Sequence, residues 1–184
     1  MSSECLKCCM LSEIFHRYLM IVVACIALLM GLQLPGLADQ YEKRVDAHLR
    51  EVTINFQPYQ KIADKYFNGS IEKLIEFHRQ SGQKPFQEEG EAVEKMYQRK
   101  LRFKAEMLAL KTSLPYRIVH ILFNGDQEMM GETLSQYSYT VPLNQDALVI
   151  GAAVAAAVLL TLELLLAVAR LATRLVFRGQ GEGI

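Results

Sequence analysis

The amino-acid sequence predicts an all-α protein in which two transmembrane helices flank a helical domain. Two apolar stretches, Leu19–Leu37 and Ala147–Ala169, lie near the two ends of the 184-residue chain. At about 1.5 Å per helical residue, each stretch is long enough to cross a hydrocarbon layer of roughly 30 Å. Between them, apolar residues recur mostly three and four positions apart, which is the period of a helix with one buried face.

The composition allows one small domain between the apolar stretches. The 20 basic and 20 acidic residues balance, so the net charge points neither to nucleic acid nor to an acidic substrate as a partner. All four cysteines, Cys5, Cys8, Cys9 and Cys25, lie outside the middle segment. We therefore expect helix packing, and no disulfide framework, to stabilise that segment.

Basic residues beside the apolar stretches predict the orientation. Lys7, His16 and Arg17 precede the first stretch, and Arg170, Arg174 and Arg178 follow the second. Flanking Lys and Arg stay in the cytoplasm, whereas a loop above about 60 residues crosses the membrane largely regardless of its charge. The predicted protein therefore has two spans with both termini cytoplasmic, and its middle segment lies outside, which in a Gram-negative bacterium means the periplasm. Its segments are a cytoplasmic amino terminus 1–18, a transmembrane helix 19–37, a periplasmic helical domain 38–146, a transmembrane helix 147–169 and a cytoplasmic basic tail 170–184.

The amino-terminal part has two competing interpretations. Cys5-Leu-Lys-Cys8-Cys9 has the spacing of half a zinc site, but a second pair of ligands is missing, so reduced thiols are favoured and no metal is predicted. Val22-Val-Ala-Cys25 resembles a lipoprotein cleavage box. The chain stays apolar after Cys25, which favours an uncleaved signal anchor.

The first transmembrane helix is expected to continue into the middle domain. Gln33 and Pro35 lie at its outer end, where the proline removes one helical hydrogen bond. A heptad-like apolar series follows, and Pro58 predicts a kink or break of the helix around Gln57. His48, Lys61 and Lys65 are expected at solvated or rim positions. The series comprises Tyr41, Val45, Leu49, Val52, Phe56, Tyr59, Ala63 and Tyr66.

Four further helices are predicted before the second apolar stretch. Asn68-Gly69 ends the first long helix, and Ser70 begins a short helix 71–79 in which His78 is expected at an interface or in the core. A loop at 81–86 leads to a charged helix 88–113, whose basic side chains are interpreted as a solvated face. This helix is expected to form an antiparallel hairpin with the first. Its apolar series is Met96, Phe103, Met107, Leu110 and Leu114.

The third of these helices, 116–123, is unusually apolar for a small exposed domain. It is expected either to pack under the hairpin or to enter the membrane interface, and the sequence leaves both open. Asp126 is expected to cap a further helix that ends near Tyr137. An extended segment, 138–143, then returns to the bilayer, where Asn144 caps the second transmembrane helix.

The candidate interaction residues lie in the two apolar stretches. Small residues let helix backbones approach closely, so they predict packing between the two helices or between protomers. Glu163 is a carboxylate inside an apolar stretch, which is costly unless it faces protein, water or a partner. A functional role and simple snorkelling to the interface both remain open for it. The candidates are Ala27, Gly31, Gln33, Pro35, Gly151, Ala155 and Glu163.

Several motifs resemble a proteobacterial family catalogued as domain of unknown function 2937. The segment 32–45, LQLPGLADQYEKRV, is similar to the family's "QLPxxxQQYxQRL" motif, and Tyr139-Thr-Val-Pro-Leu143 is similar to its "PAVPLT". Phe86-Gln-Glu-Glu-Gly90 and Tyr97-Gln-Arg99 resemble its central helix. The resemblance covers about Gly31 to Leu160 and implies an inner-membrane protein with two spans and a helical periplasmic insert. It implies no known activity, so no catalytic residue is transferred.

These observations predict a non-enzymatic accessory or scaffold protein. It is expected to pack with a larger membrane complex or with itself, and its partners are the lipid bilayer and a membrane protein or a second copy. The alternative is a subunit of an oligomeric transporter or channel whose path is lined by Glu163, together with Gln33. An enzyme is a distant third, because no nucleophile with its base, ligand cluster or phosphate loop is recognisable. No catalytic residue and no cofactor is predicted.

Overall fold

The computed structural model describes the backbone of residues 3–138 and 144–179, and side chains within 13–138, 144–169 and 171–172. Within those ranges it is entirely helical, which confirms the predicted all-α class there. The side chains of Cys5, Cys8 and Cys9, those of Arg170, Arg174 and Arg178, and the segment 139–143 lie outside the described residues. The six helices are α1 (Ser3–Tyr66), α2 (Ile71–Arg79), α3 (Lys84–Ala109), α4 (Leu114–Asn124), α5 (Gln127–Ser135) and α6 (Gln145–Gly179).

The chain divides into two compact units. Unit 1 comprises Met1–Gly36 and Tyr139–Ile184, and unit 2 comprises Leu37–Ser138. The residues of α1 up to Gly36 therefore belong to unit 1, together with α6, and its remaining residues belong to unit 2, together with α2 to α5.

Helix α1 continues without interruption to Tyr66, so the predicted kink or break around Gln57 is not a break, and the kink stays a prediction. Pro58 lies exposed, with the buried residues Phe56 and Ala63 on either side of it in the sequence. A proline inside a helix costs about 3 kcal/mol. Burial of apolar side chains at about 1.5 to 3 kcal/mol each is large enough to offset that cost.

The turn between α1 and α2 forms as predicted. Asn68 and Gly69 adopt the left-handed conformation, with φ values of 54° and 82°. The Gly69 N–H donates to the carbonyl of Ala63 at 3.0 Å, which closes the end of α1. The Ser70 hydroxyl accepts from the backbone N–H of Lys73 at 3.3 Å and so caps α2.

Helix α3 begins earlier than predicted. It starts at Lys84 with Pro85 in its first turn, so the second half of the predicted loop 81–86 is helical. A proline in the first helical turn sacrifices no hydrogen bond, because those N–H groups have no partner within the helix. Proline was therefore a start signal here, although the sequence analysis interpreted it as part of a loop.

The core of unit 2 lies between α1 and the shorter helices. Two contacts show the relative direction of α1 and α3. Tyr41 bonds Glu106, whereas Phe56, further along α1, has its ring 5.6 Å from that of Tyr97, which lies earlier in α3. The two helices therefore pair antiparallel, as predicted. Tyr66, expected in the apolar series, is 66% exposed. The buried residues of α1 in unit 2 are Ala38, Tyr41, Val45, Val52, Phe56 and Ala63, and those of the other helices and loops include Ile71, Leu74, Ile75, Val93, Phe103, Leu110, Ile118, Ile121 and Met129.

The two predicted caps after α4 are present. The Asp126 carboxylate accepts from the backbone N–H groups of Glu128 and Met129 and starts α5. The Asn144 side chain accepts from the N–H of Ala147 at 2.8 Å, in the first turn of α6. Both residues supply an acceptor for N–H groups that a helix cannot satisfy internally.

Two of the helices are long and apolar enough to cross a membrane, judged by length and composition alone. They are Glu13–Tyr66 within α1 and Gln145–Ala169 within α6. In the 18-residue stretch used to judge hydropathy, 22% is buried inside the protein in α1 and 6% in α6.

Candidate functional site

Two of the predicted interaction residues, Gly31 and Gly151, meet where α1 and α6 pack together in unit 1. A Cβ atom added to Gly31 would lie 2.8 Å from the Cα of Gly151, and one added to Gly151 would lie 2.9 Å from Leu32 Cγ. Both distances are shorter than van der Waals contact. A side chain at position 31 would meet the backbone of Gly151 and force the helices to move, whereas one at position 151 would require the Leu32 side chain to shift. Small residues permit this close approach, as the sequence predicted.

The other predicted residues differ in their surroundings. Ala27 and Pro35 are buried, and Gln33 and Ala155 are partly buried. Glu163 is exposed on α6 and is not brought together with the others. The seven candidates therefore do not form one site: the glycines form a crossing point, and Glu163 stands apart from it.

An apolar groove runs beside this crossing. Its volume is about 380 Å³. Its α6 residues follow Gly151 in the sequence, whereas four of its six α1 residues precede Gly31, so the two helices are antiparallel in unit 1. The groove is lined by Val23, Ile26, Ala27, Met30, Gly31, Leu34, Val154 and Val158.

The antiparallel alignment gives the level of Glu163 along the helix pair. Glu163 lies twelve residues after Gly151, so it is level with Leu19, twelve residues before Gly31. Leu19 is the first residue of the apolar stretch in α1, and Arg17 lies within one helical turn of it. Glu163 is therefore level with the end of the apolar stretch of α1 and far from its centre.

Unit 2 contains a buried hydrogen-bond network around Tyr41. The Tyr41 hydroxyl donates to Glu106 Oε1 at 2.7 Å and accepts from the backbone N–H of Asp126 at 2.7 Å. His120 Nε2 donates to the same Glu106 oxygen at 3.1 Å. Burial, followed by the bond to Glu106, raises the pKa of Tyr41 above its usual value, so the phenol keeps its proton and remains a donor.

A second network surrounds His48, which the sequence analysis expected at a solvated or rim position. Its Nε2 donates to Glu132 Oε2 at 2.9 Å, and Arg99 lies 3.3 Å from its Nδ1. Arg44 also donates to Glu132, at 3.3 Å. The bond from His48, followed by that from Arg44, lowers the pKa of Glu132, although partial burial acts in the opposite direction.

Basic residues of α3 pair with the beginning of α5. Arg102 Nε lies 3.1 Å from Asp126 Oδ2, and its Nη2 donates to Glu128. Arg99 lies 3.5 Å from the other Glu128 oxygen. A groove of about 560 Å³ opens beside these residues, but its basic and acidic side chains largely compensate each other. This arrangement agrees with the expected solvated helix face.

His78 lies against a small cavity at the α2–α3 end of unit 2. Its side chain is 13% exposed, as expected for an interface residue, and its Nδ1 donates to the carbonyl of Leu74 at 2.9 Å. A Cβ on Gly90 would lie 2.9 Å from His78 Cβ, so glycine permits the close packing of α3 on α2 here. The cavity, of about 380 Å³, is lined by Phe77, His78, Gln80, Ser81 and Phe86.

The polar side chains of unit 2 form ion pairs and hydrogen bonds within the described part of the chain. Among those residues, no group of three or more His, Cys, Asp or Glu side chains is placed to hold a metal ion. The histidines at 48, 78 and 120 each have a hydrogen-bonding partner within the chain. The Tyr41 and His48 networks cannot be predicted from the sequence, because their members lie far apart in the chain and no local motif links them.

Comparison with known proteins gives one match. The family described as "Protein of unknown function (DUF2937)" matches residues 15–175. This range extends beyond the motifs recognised in the sequence and includes Arg170 and Arg174, which the resemblance had left outside. No curated protein and no solved structure matches the chain.

Proposed function

From the premise that the chain belongs to the DUF2937 family of proteins of unknown function, we propose that it is a non-enzymatic accessory or scaffold protein of the bacterial inner membrane. The apolar parts of α1 and α6 cross the bilayer, both termini lie in the cytoplasm, and unit 2 lies in the periplasm. The protein packs with a larger membrane complex or with a second copy.

The observation that carries this proposal is the exposure of the two apolar helices. The core helix of a soluble protein is mostly buried, whereas only 22% and 6% of the apolar windows of α1 and α6 are buried. Large apolar side chains such as Met30 and Leu160, each 67% exposed, would face water without a bilayer. A cleaved signal sequence does not account for α6, which lies at the other end of the chain.

The helix pair leaves surface free for a partner. The Gly31–Gly151 crossing is used within the chain, so association must use other surfaces. The apolar groove beside the crossing is one such surface. A second is the outer side of α6, where Ala152, Ala153, Ala156 and Ala157 are exposed. Alanine side chains are small, so they let another helix approach closely. Close packing matters in a bilayer, because the hydrophobic effect does not drive helices together there.

Unit 2 supports a structural role. Its buried and half-buried polar groups bond one another across α1, α3, α4 and α5, which holds these helices together. Most hydrogen-bonding atoms of these groups therefore have a partner within the chain, although Arg44 Nε is buried without one.

The test is the size of the native complex in mild detergent. We expect the wild-type protein to elute with a partner or as an oligomer. Ile26→Trp places a bulky side chain in the groove and is expected to shift the protein towards the monomer. Leu29→Trp is the matched control, because Leu29 is 54% exposed against 53% for Ile26 but does not line the groove.

One outcome contradicts the proposal: recovery of the wild-type protein only as a lone monomer, without a partner after crosslinking in the membrane. An equal loss of association in the two tryptophan variants would contradict the specific role of the groove and point to another surface.

A second candidate function, a subunit of an oligomeric transporter or channel, depends on Glu163. The exposure of Glu163 on α6 favours this candidate, because an exposed carboxylate on a transmembrane helix is costly unless it contacts water or another protomer. The position of Glu163, level with Leu19 at the end of the apolar stretch, argues against this candidate, because a carboxylate at the end of a span is readily hydrated. Unchanged ion flux in proteoliposomes carrying Glu163→Gln would remove this candidate.

A further inference from the structure

Helix α4 has two apolar faces. Ile118 and Ile121 are buried against the rest of unit 2. The opposite face remains exposed, with Tyr116 at 73%, Val119 at 53% and Phe123 at 79%. The sequence left open whether this helix packs under the hairpin or enters the membrane interface. Packing under the hairpin explains the buried face but leaves the exposed apolar face unexplained.

The exposed side chains lie together on one side of α4. At 3.6 residues per turn, Tyr116, Val119, Leu122 and Phe123 fall within an arc of about 120°. Leu122 is also exposed, at 49%. The face therefore forms a continuous apolar stripe with an aromatic side chain near each end. Aromatic side chains at the edges of an apolar surface are typical of the boundary between lipid and water.

The charge of this region fits a phospholipid surface. From Met107 to Gly125 the sequence contains no Asp or Glu, whereas Lys111 and Arg117 are basic. Lys111 is exposed, and Arg117 pairs inward with Glu42. Because the segment has no carboxylate, it is not repelled by anionic headgroups and has no acidic group that would lose its hydration at the interface.

The chain also keeps unit 2 close to a bilayer, if the proposed function is correct. Both ends of unit 2 continue into the apolar helices, and only 22 residues separate Asn124 from Ala147. An apolar stripe on such a tethered domain meets a lipid surface at high effective concentration.

We propose that the exposed face of α4, formed by Tyr116, Val119, Leu122 and Phe123, lies in the outer phospholipid interface and anchors unit 2 to the bilayer surface. The helix lies in the interface plane with its stripe among the headgroups and upper acyl chains. The inference rests on the proposed placement of α1 and α6 in the bilayer and adds a third membrane contact to it.

The protein contains no tryptophan, so a single introduced tryptophan reports on one position. The full-length protein is reconstituted in nanodiscs of phosphatidylcholine and phosphatidylglycerol, with either ordinary or brominated acyl chains. Bromine quenches a tryptophan that contacts the lipid. The test variants are Tyr116→Trp and Phe123→Trp. The control is Tyr66→Trp, because Tyr66 is 66% exposed at the end of α1, and the insertion reference is Leu29→Trp.

We expect several-fold quenching and a blue-shifted emission for Tyr116→Trp and Phe123→Trp, and neither effect for Tyr66→Trp. Addition of Val119→Glu to Tyr116→Trp is expected to abolish most of the quenching, with circular dichroism confirming the fold. Quenching of Leu29→Trp without quenching of the α4 variants overturns this inference and leaves the proposed function intact.

Other outcomes also decide the matter. A blue shift at Tyr116→Trp without quenching means that a protein partner or a second copy covers α4, which overturns the inference. Equal quenching of Tyr66→Trp does the same, because contact is then not specific to α4. Absence of quenching at Leu29→Trp contradicts the membrane placement itself and the inference with it.

Discussion

Gly31 and Gly151 show what a single residue contributes to this fold through the absence of a side chain. The Cα of Gly151 lies where a Cβ of residue 31 would need space, at 2.8 Å. Gly131 in α5 provides the contrast, because a Cβ there would meet nothing within 4 Å. The same residue type is therefore required at one position and merely tolerated at the other.

Gly31→Ala is expected to lower the free energy of unfolding by about 1 to 3 kcal/mol, since overpacking forces the helices apart. Gly131→Ala is expected to raise it by about 0.5 to 1 kcal/mol, because alanine favours the helix and no contact opposes it. Thermal and chemical unfolding in detergent measure both changes. Equal effects of the two substitutions would contradict the close helix crossing.

The charged pairs of unit 2 predict a dependence of stability on pH. The bonds from His48 and Arg44 hold the folded-state pKa of Glu132 below its usual value. A depressed pKa contributes stability above the unfolded-state pKa of about 4.3, and this contribution is lost as the pH falls through the folded-state pKa. Glu132 is 37% exposed, so solvent screens part of the effect.

Glu132→Gln is therefore expected to destabilise the protein at neutral pH and to reduce the loss of stability on acidification. The measurement is the unfolding midpoint in denaturant from neutral pH to below pH 4. Glu91→Gln serves as the control, because Glu91 lies exposed on α3 and has no ion pair within the described part of the chain. An unchanged acid profile for Glu132→Gln would contradict the assigned network.

At the scale of elements, polar groups decide how the helices of unit 2 are joined. Tyr41 in α1 connects through its hydroxyl to Glu106 in α3 and to the N–H of Asp126, which precedes α5. His120 of α4 bonds the same carboxylate. The Tyr41 phenol and the Glu106 carboxylate together therefore link α1, α3, α4 and the start of α5. Apolar packing alone would bring these helices together without selecting a register.

Tyr41→Phe removes this connection while keeping the ring. It leaves the N–H of Asp126 without its acceptor and takes one donor from Glu106, so we expect a loss of about 1 to 3 kcal/mol in the free energy of unfolding. Tyr97→Phe is the matched control, because its hydroxyl donates to Glu72 at 3.2 Å in an exposed position. Denaturant titration followed by circular dichroism compares the two, and equal losses would contradict the special role of Tyr41.

At the scale of the whole molecule, the exposed helices of unit 1 and the charged unit 2 require different surroundings. Unit 1 presents large apolar side chains that water does not accommodate, whereas the exposed surface of unit 2 is largely charged and polar. The proposed topology, with both termini cytoplasmic and unit 2 periplasmic, gives each unit a suitable solvent.

A thiol-labelling experiment tests this topology. In a variant whose four cysteines are replaced by serine, Gln83→Cys places a single thiol in the exposed loop before α3. A reagent that cannot cross the inner membrane is expected to label this thiol in spheroplasts. In a second variant, which carries Cys25→Ser and keeps the native Cys5, Cys8 and Cys9, the reagent is expected to label the thiols only after lysis. Labelling of the native thiols in intact spheroplasts would contradict a cytoplasmic amino terminus and therefore the proposed topology.

The sequence alone determined the features that depend on neighbours along the chain. These include the helical class, the two apolar stretches, the stop at Asn68-Gly69, the caps at Ser70, Asp126 and Asn144, and much of the apolar series of α1. Each is a local property, because hydrophobic period, left-handed turns and caps act within a few residues.

Only the tertiary structure decided which distant groups meet. It kept α1 helical through Pro58, where the sequence predicted a kink or a break, and it joined Tyr41 to Glu106 across 65 positions of the chain. It also showed that Gly31 and Gly151 pack against each other within one chain and that α4 keeps an exposed apolar face. The reason is physical: burial and hydrogen bonding between helices involve energies comparable to local helix preferences, and their partners are set by packing in space.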